Sequence, residues 1–199
     1  MTKAKAVFLD RDGVVNELIY FQEQGIIDSP FTPDQFILCP GAPLAIKRFQ
    51  NKGYKVIIVS NQPGIAKGHM TPNNFDRIDA NMKAQLGAEG VFLDGVYYCL
   101  HHPKAIIEQY RTECDCRKPK PGLILQAARD LDIDISQSWC IGDNLTDVQA
   151  GTRAGCHTLL LGKMRCELCE LMYREGIKPE AIKLNLFEAV DLIIKRSMK

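Results

Sequence analysis

The sequence predicts an α/β fold built on a doubly wound parallel sheet. Short apolar runs without alternation repeat along the chain, and amphipathic segments of helical period lie between them. Unbroken apolar runs are typical of strands buried on both faces, and their alternation with helices is typical of parallel strands joined by right-handed crossovers. In addition, acidic or small polar residues directly follow several of the runs, which is where ligands bind in open parallel sheets.

Five apolar runs are predicted to form strands. The first ends at Asp10, the second at Ser60, the fourth at Gly142-Asp143 and the fifth at Gly162, whereas the third leads into a cysteine-rich stretch. In chain order, the runs cover residues 4–9, 55–59, 92–100, 139–141 and 157–161.

Amphipathic patterns predict the helices. Thr71-Pro72 is typical of a helix start, because a hydroxyl can cap the first turn and proline fits the first helical position. Behind it, apolar residues recur at helical spacing at Phe75, Ile78 and Met82. The other predicted helices cover residues 43–52, 121–131, 144–154, 165–175 and 186–196, of which the last two form a closing segment over about 165–199.

Length and composition predict a single globular domain over residues 1–199. Apolar residues make up 46% and charged residues 25% of the chain, which argues against disorder. With 25 basic and 24 acidic residues, the chain has no general attraction for nucleic acid or anionic membranes. No apolar run suits a membrane span, and the first apolar stretch ends at Asp10, too early for an export signal. We therefore expect a cytoplasmic monomer with no nucleic-acid or membrane partner.

Polar residues from three strand ends are predicted to meet at one edge of the sheet. These are Asp10, Asp12, Ser60 and Asp143, and Lys118 lies before a helix start from which it can reach the same edge. Clustered carboxylates repel one another unless a cation lies between them, and Mg²⁺ favours a few carboxylates together with water and substrate phosphate. The charges therefore suit a phosphate ester. A single acid at a strand end more often is solvated or caps a helix, but several together favour chemistry.

The spacing of the first two acids suits paired chemical roles. Asp10 and Asp12 can project toward the same space, so that one can attack phosphorus while the other transfers the proton of the leaving group. Gly13 allows the backbone to bend tightly beside them.

Four motifs resemble those of the haloacid dehalogenase superfamily of phosphohydrolases. They are FLDRDGVVN at 8–16, SNQPGIAKG at 60–68, CRKPKPG at 116–122 and IGDNLTDVQAG at 141–151, and they occur in that family's order. The resemblance implies that Asp10 is the nucleophile and forms an aspartyl-phosphate, and that Asp12 is first general acid and then general base. It implies that Ser60 and Lys118 hold phosphoryl oxygens. It further implies Mg²⁺ on the Asp10 carboxylate, the Asp12 backbone carbonyl and the Asp143 carboxylate.

A second cluster has the ligand set of a structural zinc site. Cys99-x-His101 is followed by twelve residues and then by Cys114-x-Cys116. Three thiolates and one imidazole suit tetrahedral Zn²⁺ with no open position. We expect a zinc-stabilised loop over residues 99–116, here named the cysteine loop; the alternative is four reduced side chains without metal. The pair Cys166-x-x-Cys169 is predicted to pack in the core, with a second metal or redox site as its alternative.

The resemblance also suggests the substrate. A zinc loop of this spacing is similar to that of a branch of the superfamily that removes the C7 phosphate of heptose 1,7-bisphosphate. The alternatives are a histidinol-phosphate or other small sugar-phosphate phosphatase and, more distantly, a non-catalytic zinc-stabilised binding protein. Neither residues 17–36 nor the interval between motifs two and three has room for a large cap domain.

Four residues are predicted to contact the substrate. Arg117 has a guanidinium fork that suits the sugar or its second phosphate, and Asn61 and Gln62 can hydrogen-bond to the same ligand. Asn144 stands where the similar enzymes often carry lysine, which can alter the choice of phosphate or anomer.

Overall fold

The structure, a computed structural model, describes residues 3–196. Fourteen helices and strands follow one another in this part of the chain. In chain order they are β1 (Lys5–Leu9), β2 (Ile19–Phe21), β3 (Ile26–Asp28), α1 (Ala42–Asn51), β4 (Tyr54–Asn61), α2 (Pro72–Ala88), β5 (Gly95–Cys99), α3 (Gly122–Asp130), β6 (Trp139–Gly142), α4 (Leu145–Ala154), β7 (His157–Leu161), α5 (Cys166–Arg174), β8 (Ala181–Lys183) and α6 (Leu186–Arg196).

Six strands form one parallel sheet in the order β5-β4-β1-β6-β7-β8. Strand β1 lies in the middle, with Leu9 opposite Ile58 of β4 and Ile141 of β6. The carboxyl ends of three neighbouring strands therefore meet beside Asp10. The strand order reverses on either side of β1, and such a reversal is where open α/β sheets bind their ligands.

Both faces of the sheet are covered by helices, which confirms the predicted fold class. Val7 and Leu9 of β1 point into a core that includes residues of α1, α2 and α6, whereas Phe8 points into a second core with α3 and α4. Successive residues of a strand face opposite sides, so a strand covered on both sides reads as an unbroken apolar run.

Helix ends follow the capping signals of the sequence. The Thr71 side chain accepts a hydrogen bond from the backbone N–H of Asn74 at the start of α2. Helix α4 begins with a capping box between Asn144 and Asp147 and ends at Gly155, whose φ of +91° closes the helix. None of the helices in residues 3–196 has the length and apolarity needed to cross a bilayer.

The structure contains short strands that the sequence analysis did not predict. Strands β2 and β3 form an antiparallel hairpin within residues 17–36, and β8 adds a sixth strand to the sheet beside β7. The run predicted at 92–100 is a strand only over Gly95–Cys99. The last residues of the predicted closing segment, 197–199, lie outside the described part of the chain.

The prediction that Cys166 and Cys169 pack in the core is wrong. Both cysteines are exposed, although they lie on α5 as expected. Helix α5 instead contacts the sheet through Leu168, Leu171 and Met172, which pack in a third small apolar cluster. Helix α5 has more apolar residues than one face can bury. Leu168, Leu171 and Met172 occupy the buried face, and the two cysteines are therefore left exposed.

Candidate active site

Asp10 occupies the centre of the site, directly after β1. Its backbone N–H donates to the carbonyl of Ile141 on the neighbouring strand, and its Oδ1 accepts a hydrogen bond of 2.7 Å from the backbone N–H of Arg11. The Ser60 hydroxyl also hydrogen-bonds to this carboxylate. The bond to Ile141 fixes the main chain at Asp10, and the Arg11 N–H and the Ser60 hydroxyl orient its carboxylate.

Lys118 forms ion pairs with two carboxylates of the site. Its Nζ lies 3.0 Å from Oδ1 of Asp10 and 2.5 Å from Oδ1 of Asp147, and it donates to the Val59 carbonyl. Burial alone would lower the pKa of Lys118, but the two carboxylates outweigh it and raise that pKa. The ammonium group is therefore a permanent charge in this site.

Three carboxylates form what we call the acid cluster: Asp10, Asp143 and Asp147. One carboxylate oxygen from each lies within 4.8 Å of the others. Burial, followed by the charges of Asp10 and Asp147, raises the pKa of Asp143 to about 7. Burial also raises the pKa of Asp10 to about 6, with Lys118 opposing the shift.

The acid cluster fits a divalent cation. Three carboxylates and the single Lys118 ammonium leave two negative charges uncompensated in a buried space. Oxygen ligands of this kind and number are those that Mg²⁺ accepts.

Two glycines let the backbone approach the acid cluster closely. A Cβ on Gly13 would lie 2.1 Å from Oδ2 of Asp143, and the backbone there has a φ of +75°. A Cβ on Gly142 would lie 2.1 Å from Cγ of Asp147. Any side chain at either position would displace a carboxylate of the cluster.

Asp12 is held by donors on both of its oxygens. Arg11 and Asn16 donate to Oδ1, with Arg11 Nη2 at 3.1 Å and Asn16 Nδ2 at 2.9 Å, while Gln62 Nε2 donates to Oδ2 at 2.5 Å. The Arg11 side chain is fully buried, and its guanidinium stacks 5.7 Å from the ring centroid of Tyr98. Arg11 thus compensates the charge of Asp12 and fixes its position.

The four predicted zinc ligands come together at the cysteine loop. The three sulfur–sulfur distances among Cys99, Cys114 and Cys116 are 3.5, 3.2 and 3.1 Å, and Nδ1 of His101 lies 3.5 Å from Sγ of Cys116. These separations are too long for a disulfide, and they approach the ~3.8 Å sulfur–sulfur edge of a tetrahedron with Zn–S bonds of about 2.3 Å. The donor set therefore fits one tetrahedral metal ion.

The comparisons with known proteins agree with this geometry. The HAD-hydrolase-like family model matches residues 115–185. A D-glycero-beta-D-manno-heptose-1,7-bisphosphate 7-phosphatase from Haemophilus ducreyi is 40% identical over 192 residues, which cover 95% of this chain and 96% of that protein. The chain belongs to the haloacid dehalogenase-like (HAD) hydrolases. This confirms the superfamily predicted from the four motifs.

Two further relatives place this HAD hydrolase among similar phosphatases. The 7-phosphatase of the same name from Photorhabdus laumondii is 43% identical over 158 residues, covering 78% of this chain and 79% of that protein. The crystal structure of D,D-heptose 1,7-bisphosphate phosphatase from B. bronchiseptica, complexed with magnesium and phosphate, has a TM-score of 0.77 and 29% identity. The match covers 96% of this chain and 99% of that one.

The predicted substrate contacts of this HAD hydrolase have protein partners in the structure. The Asn61 amide is bonded at both ends to the backbone of Lys118, and the buried Gln62 amide binds Asp12, Arg11 and Ser60. These bonds position catalytic candidates, and the predicted contacts of both side chains with the ligand stay predictions. Asn144 caps α4, and Nη1 of Arg117 donates to the His101 carbonyl.

Sequence reasoning missed two residues of the site. Asp147 is buried against Lys118, and its position in the IGDNLTDVQAG motif, four residues after Asp143, was the available signal. Arg11 lies between the two motif acids and gave no signal, because an arginine at a strand end is typically solvent-exposed.

We expect Asp147→Asn to lower kcat about 10- to 100-fold, because Lys118 loses one of the two carboxylates that fix it beside Asp10. Steady-state phosphate release measures the effect. Asp134→Asn is the matched control, since the Asp134 carboxylate also caps a helical turn but is only half-buried and lies before β6, at the opposite edge of the sheet. Equal kcat values for the wild type and the Asp147 variant would contradict this positioning role.

The raised pKa values predict how Mg²⁺ stabilisation depends on pH. In the folded protein the pKa of Asp10 is about 6 and that of Asp143 is about 7, against an ordinary value of 3.8. At a pH between the ordinary and the raised values, the metal-free native state therefore binds more protons than the unfolded state. Its free energy of unfolding therefore falls as the pH rises from about 4 to 7. Mg²⁺ binds the ionised acids, so we expect a larger Mg²⁺-induced rise in Tm at pH 8 than at pH 5.5. Thermal unfolding with and without Mg²⁺ tests this, and a larger rise at pH 5.5 would contradict it.

Proposed function

We propose that this HAD hydrolase is a magnesium-dependent phosphomonoesterase that removes the C7 phosphate of D-glycero-D-manno-heptose 1,7-bisphosphate. The observation that carries the proposal is the position of the Asp10 carboxylate, which lies against the Lys118 ammonium within the acid cluster. A carboxylate so placed can attack phosphorus while the neighbouring cation binds phosphoryl oxygens. The names of the relatives support the substrate.

In the first half of the reaction, a carboxylate oxygen of Asp10 forms a bond to phosphorus as the bond between phosphorus and the C7 oxygen breaks. Asp12, which is protonated when the ester is bound, gives that proton to the departing C7 oxygen, which would otherwise leave as a poor alkoxide. Lys118 and the Ser60 hydroxyl both contact the Asp10 carboxylate, so they lie where phosphoryl oxygens arrive. The products are the alcohol and an aspartyl-phosphate.

In the second half, Asp12 takes a proton from a water molecule that attacks the aspartyl-phosphate. Phosphate leaves and the Asp10 carboxylate is restored. The donors from Arg11, Asn16 and Gln62 keep the Asp12 carboxylate in one place for both proton transfers.

The acid cluster would hold Mg²⁺ through the carboxylates of Asp10 and Asp143, with the backbone carbonyl of Asp12 as a further ligand. When bound, the ion compensates the charges of the carboxylates and of the incoming phosphate. Asp147 pairs with Lys118 and accepts a hydrogen bond from the backbone N–H of Asn144 before α4, so it positions groups that lie beside the metal ligands.

We infer that the cysteine loop holds Zn²⁺ through Cys99, His101, Cys114 and Cys116. Four protein ligands leave no position for water, so the role is structural. Cys116 is followed at once by Arg117 and Lys118, and the metal would therefore fix the backbone that presents both cations to the site.

Side-by-side turnover of heptose 1,7-bisphosphate and histidinol phosphate with Mg²⁺ tests the proposed substrate. We expect a much higher kcat/KM for the heptose bisphosphate. A higher kcat/KM for histidinol phosphate would show that the proposed substrate is wrong and favour a histidinol-phosphate phosphatase. If no ester released phosphate, the result would favour a non-catalytic binding protein.

A further inference from the structure

Three sulfur-containing side chains line one open cavity at the start of α5. The cavity has a volume of about 450 Å³ and is lined by Met164, Arg165, Cys166, Cys169 and Glu170. Methionine and cysteine are among the residue types that are most often buried, yet all three sulfur-containing residues are exposed here. Their sulfur atoms are therefore open to a ligand from solvent.

Packing does not account for the two cysteines of this cavity. Helix α5 packs against the protein through Leu168, Leu171 and Met172, which lie on a different face of the helix. Cys166 and Cys169 are not in disulfides. A pair of thiols that is neither buried nor oxidised is available for binding.

The helix brings the two thiols to the same side. Residues three apart in an α-helix are neighbours on one face, and the pitch of the helix places their Cα atoms about 5 Å apart. At this separation the sulfur atoms of Cys166 and Cys169 can reach the same ion. Met164 lies two residues before Cys166 and lines the same cavity, so its thioether can supply a third sulfur.

These donors favour a soft metal ion that accepts few ligands. Thiolate and thioether sulfur suit Cu(I), whereas Mg²⁺ takes oxygen ligands. Structural Zn²⁺ almost always has four ligands, as in the cysteine loop, but no histidine and no third cysteine of residues 3–196 lines this cavity. Two thiolates and one thioether therefore fit Cu(I) better than Zn²⁺.

We propose that Met164, Cys166 and Cys169 form a binding site for a soft monovalent metal ion, Cu(I). Each thiol loses its proton as its sulfur binds the ion, so two protons are released per ion and copper keeps its oxidation state. The site shares no residue with the proposed phosphatase mechanism, so either can be wrong without the other.

Competition with the coloured Cu(I) chelator bicinchoninate, in the absence of oxygen, measures the affinity. The protein is first loaded with Zn²⁺, so that the cysteine loop is occupied. We expect wild-type protein to hold one Cu(I) per chain without releasing zinc. Cys166→Ser/Cys169→Ser should bind Cu(I) about 100-fold more weakly or worse, and Met164→Leu, which keeps the size of the side chain without its sulfur, about 10-fold more weakly.

Cys156→Ser is the control, because it makes the same substitution at a thiol that does not line the cavity, and we expect wild-type affinity from it. Equal affinities of the wild type and the double variant would contradict the site. If the first equivalent of Cu(I) expels zinc, copper prefers the cysteine loop and the inference is wrong. A second zinc ion that the double variant loses would contradict the choice of metal, and unchanged affinity in Met164→Leu would contradict the third ligand.

Discussion

The variant Asp10→Asn should lose phosphatase activity by a factor of about 10⁴ or more while keeping its fold, as happens when a catalytic nucleophile is removed. The amide has the size of the carboxylate but does not attack phosphorus. Lys118 keeps Asp147 as a partner, so the buried ammonium is not left uncompensated. Phosphate release under saturating Mg²⁺ measures the loss, and circular dichroism and Tm report on the fold.

Asp76→Asn is the control for this experiment. It makes the same chemical change at an exposed position of α2. We expect wild-type turnover from it. Substantial activity in the Asp10 variant would mean that another group attacks phosphorus, and the roles assigned to Asp12 and Lys118 would then need revision as well.

Cys116→Ser should remove both a metal ion and most of the activity. The cysteine loop has little apolar core of its own, so a tetrahedral ion would supply much of its folding free energy. We expect stoichiometric zinc in the wild type and almost none in the variant. We also expect a Tm lower by about 5 °C or more, and a kcat/KM lower by roughly tenfold or more because Lys118 follows two residues later.

Cys166→Ser is the matched control for the zinc experiment, because it makes the same substitution at an exposed thiol of α5. Elemental analysis, thermal unfolding and steady-state kinetics on both variants separate loss of metal from loss of a thiol. Wild-type protein without zinc, or full activity in a zinc-free Cys116 variant, would contradict the structural role of the metal.

The main strands of the sheet could be predicted because burial on both faces leaves an unbroken apolar run. The hairpin of Ile19–Phe21 and Ile26–Asp28 could not, since each strand has three residues, and Tyr20 and Ile27 are exposed. The cysteines of α5 were misassigned for a related reason. Composition shows that a helix has apolar residues, but only tertiary packing decides which of them form the buried stripe.

The candidate site was predictable where the chemistry is local in sequence and unpredictable where it depends on distant contacts. The placement of Asp10, Asp12 and Asp143 followed from strand ends. The bonds of Gln62 to Asp12 and of Asn61 to the Lys118 backbone join segments 50 and 57 residues apart, and no spacing rule indicates them. The sequence analysis therefore did not anticipate that Gln62 fixes the Asp12 side chain or that Asn61 fixes the Lys118 backbone.

Borohydride trapping during turnover tests the central claim most directly. The reductant converts an aspartyl-phosphate to homoserine, and mass spectrometry of the proteolytic peptides that contain Asp10, Asp12 and Asp143 locates the change. The account predicts homoserine at position 10, only when substrate and Mg²⁺ are both present. Rapid turnover without any trapped adduct, or an adduct at Asp12 or Asp143 instead, would contradict it.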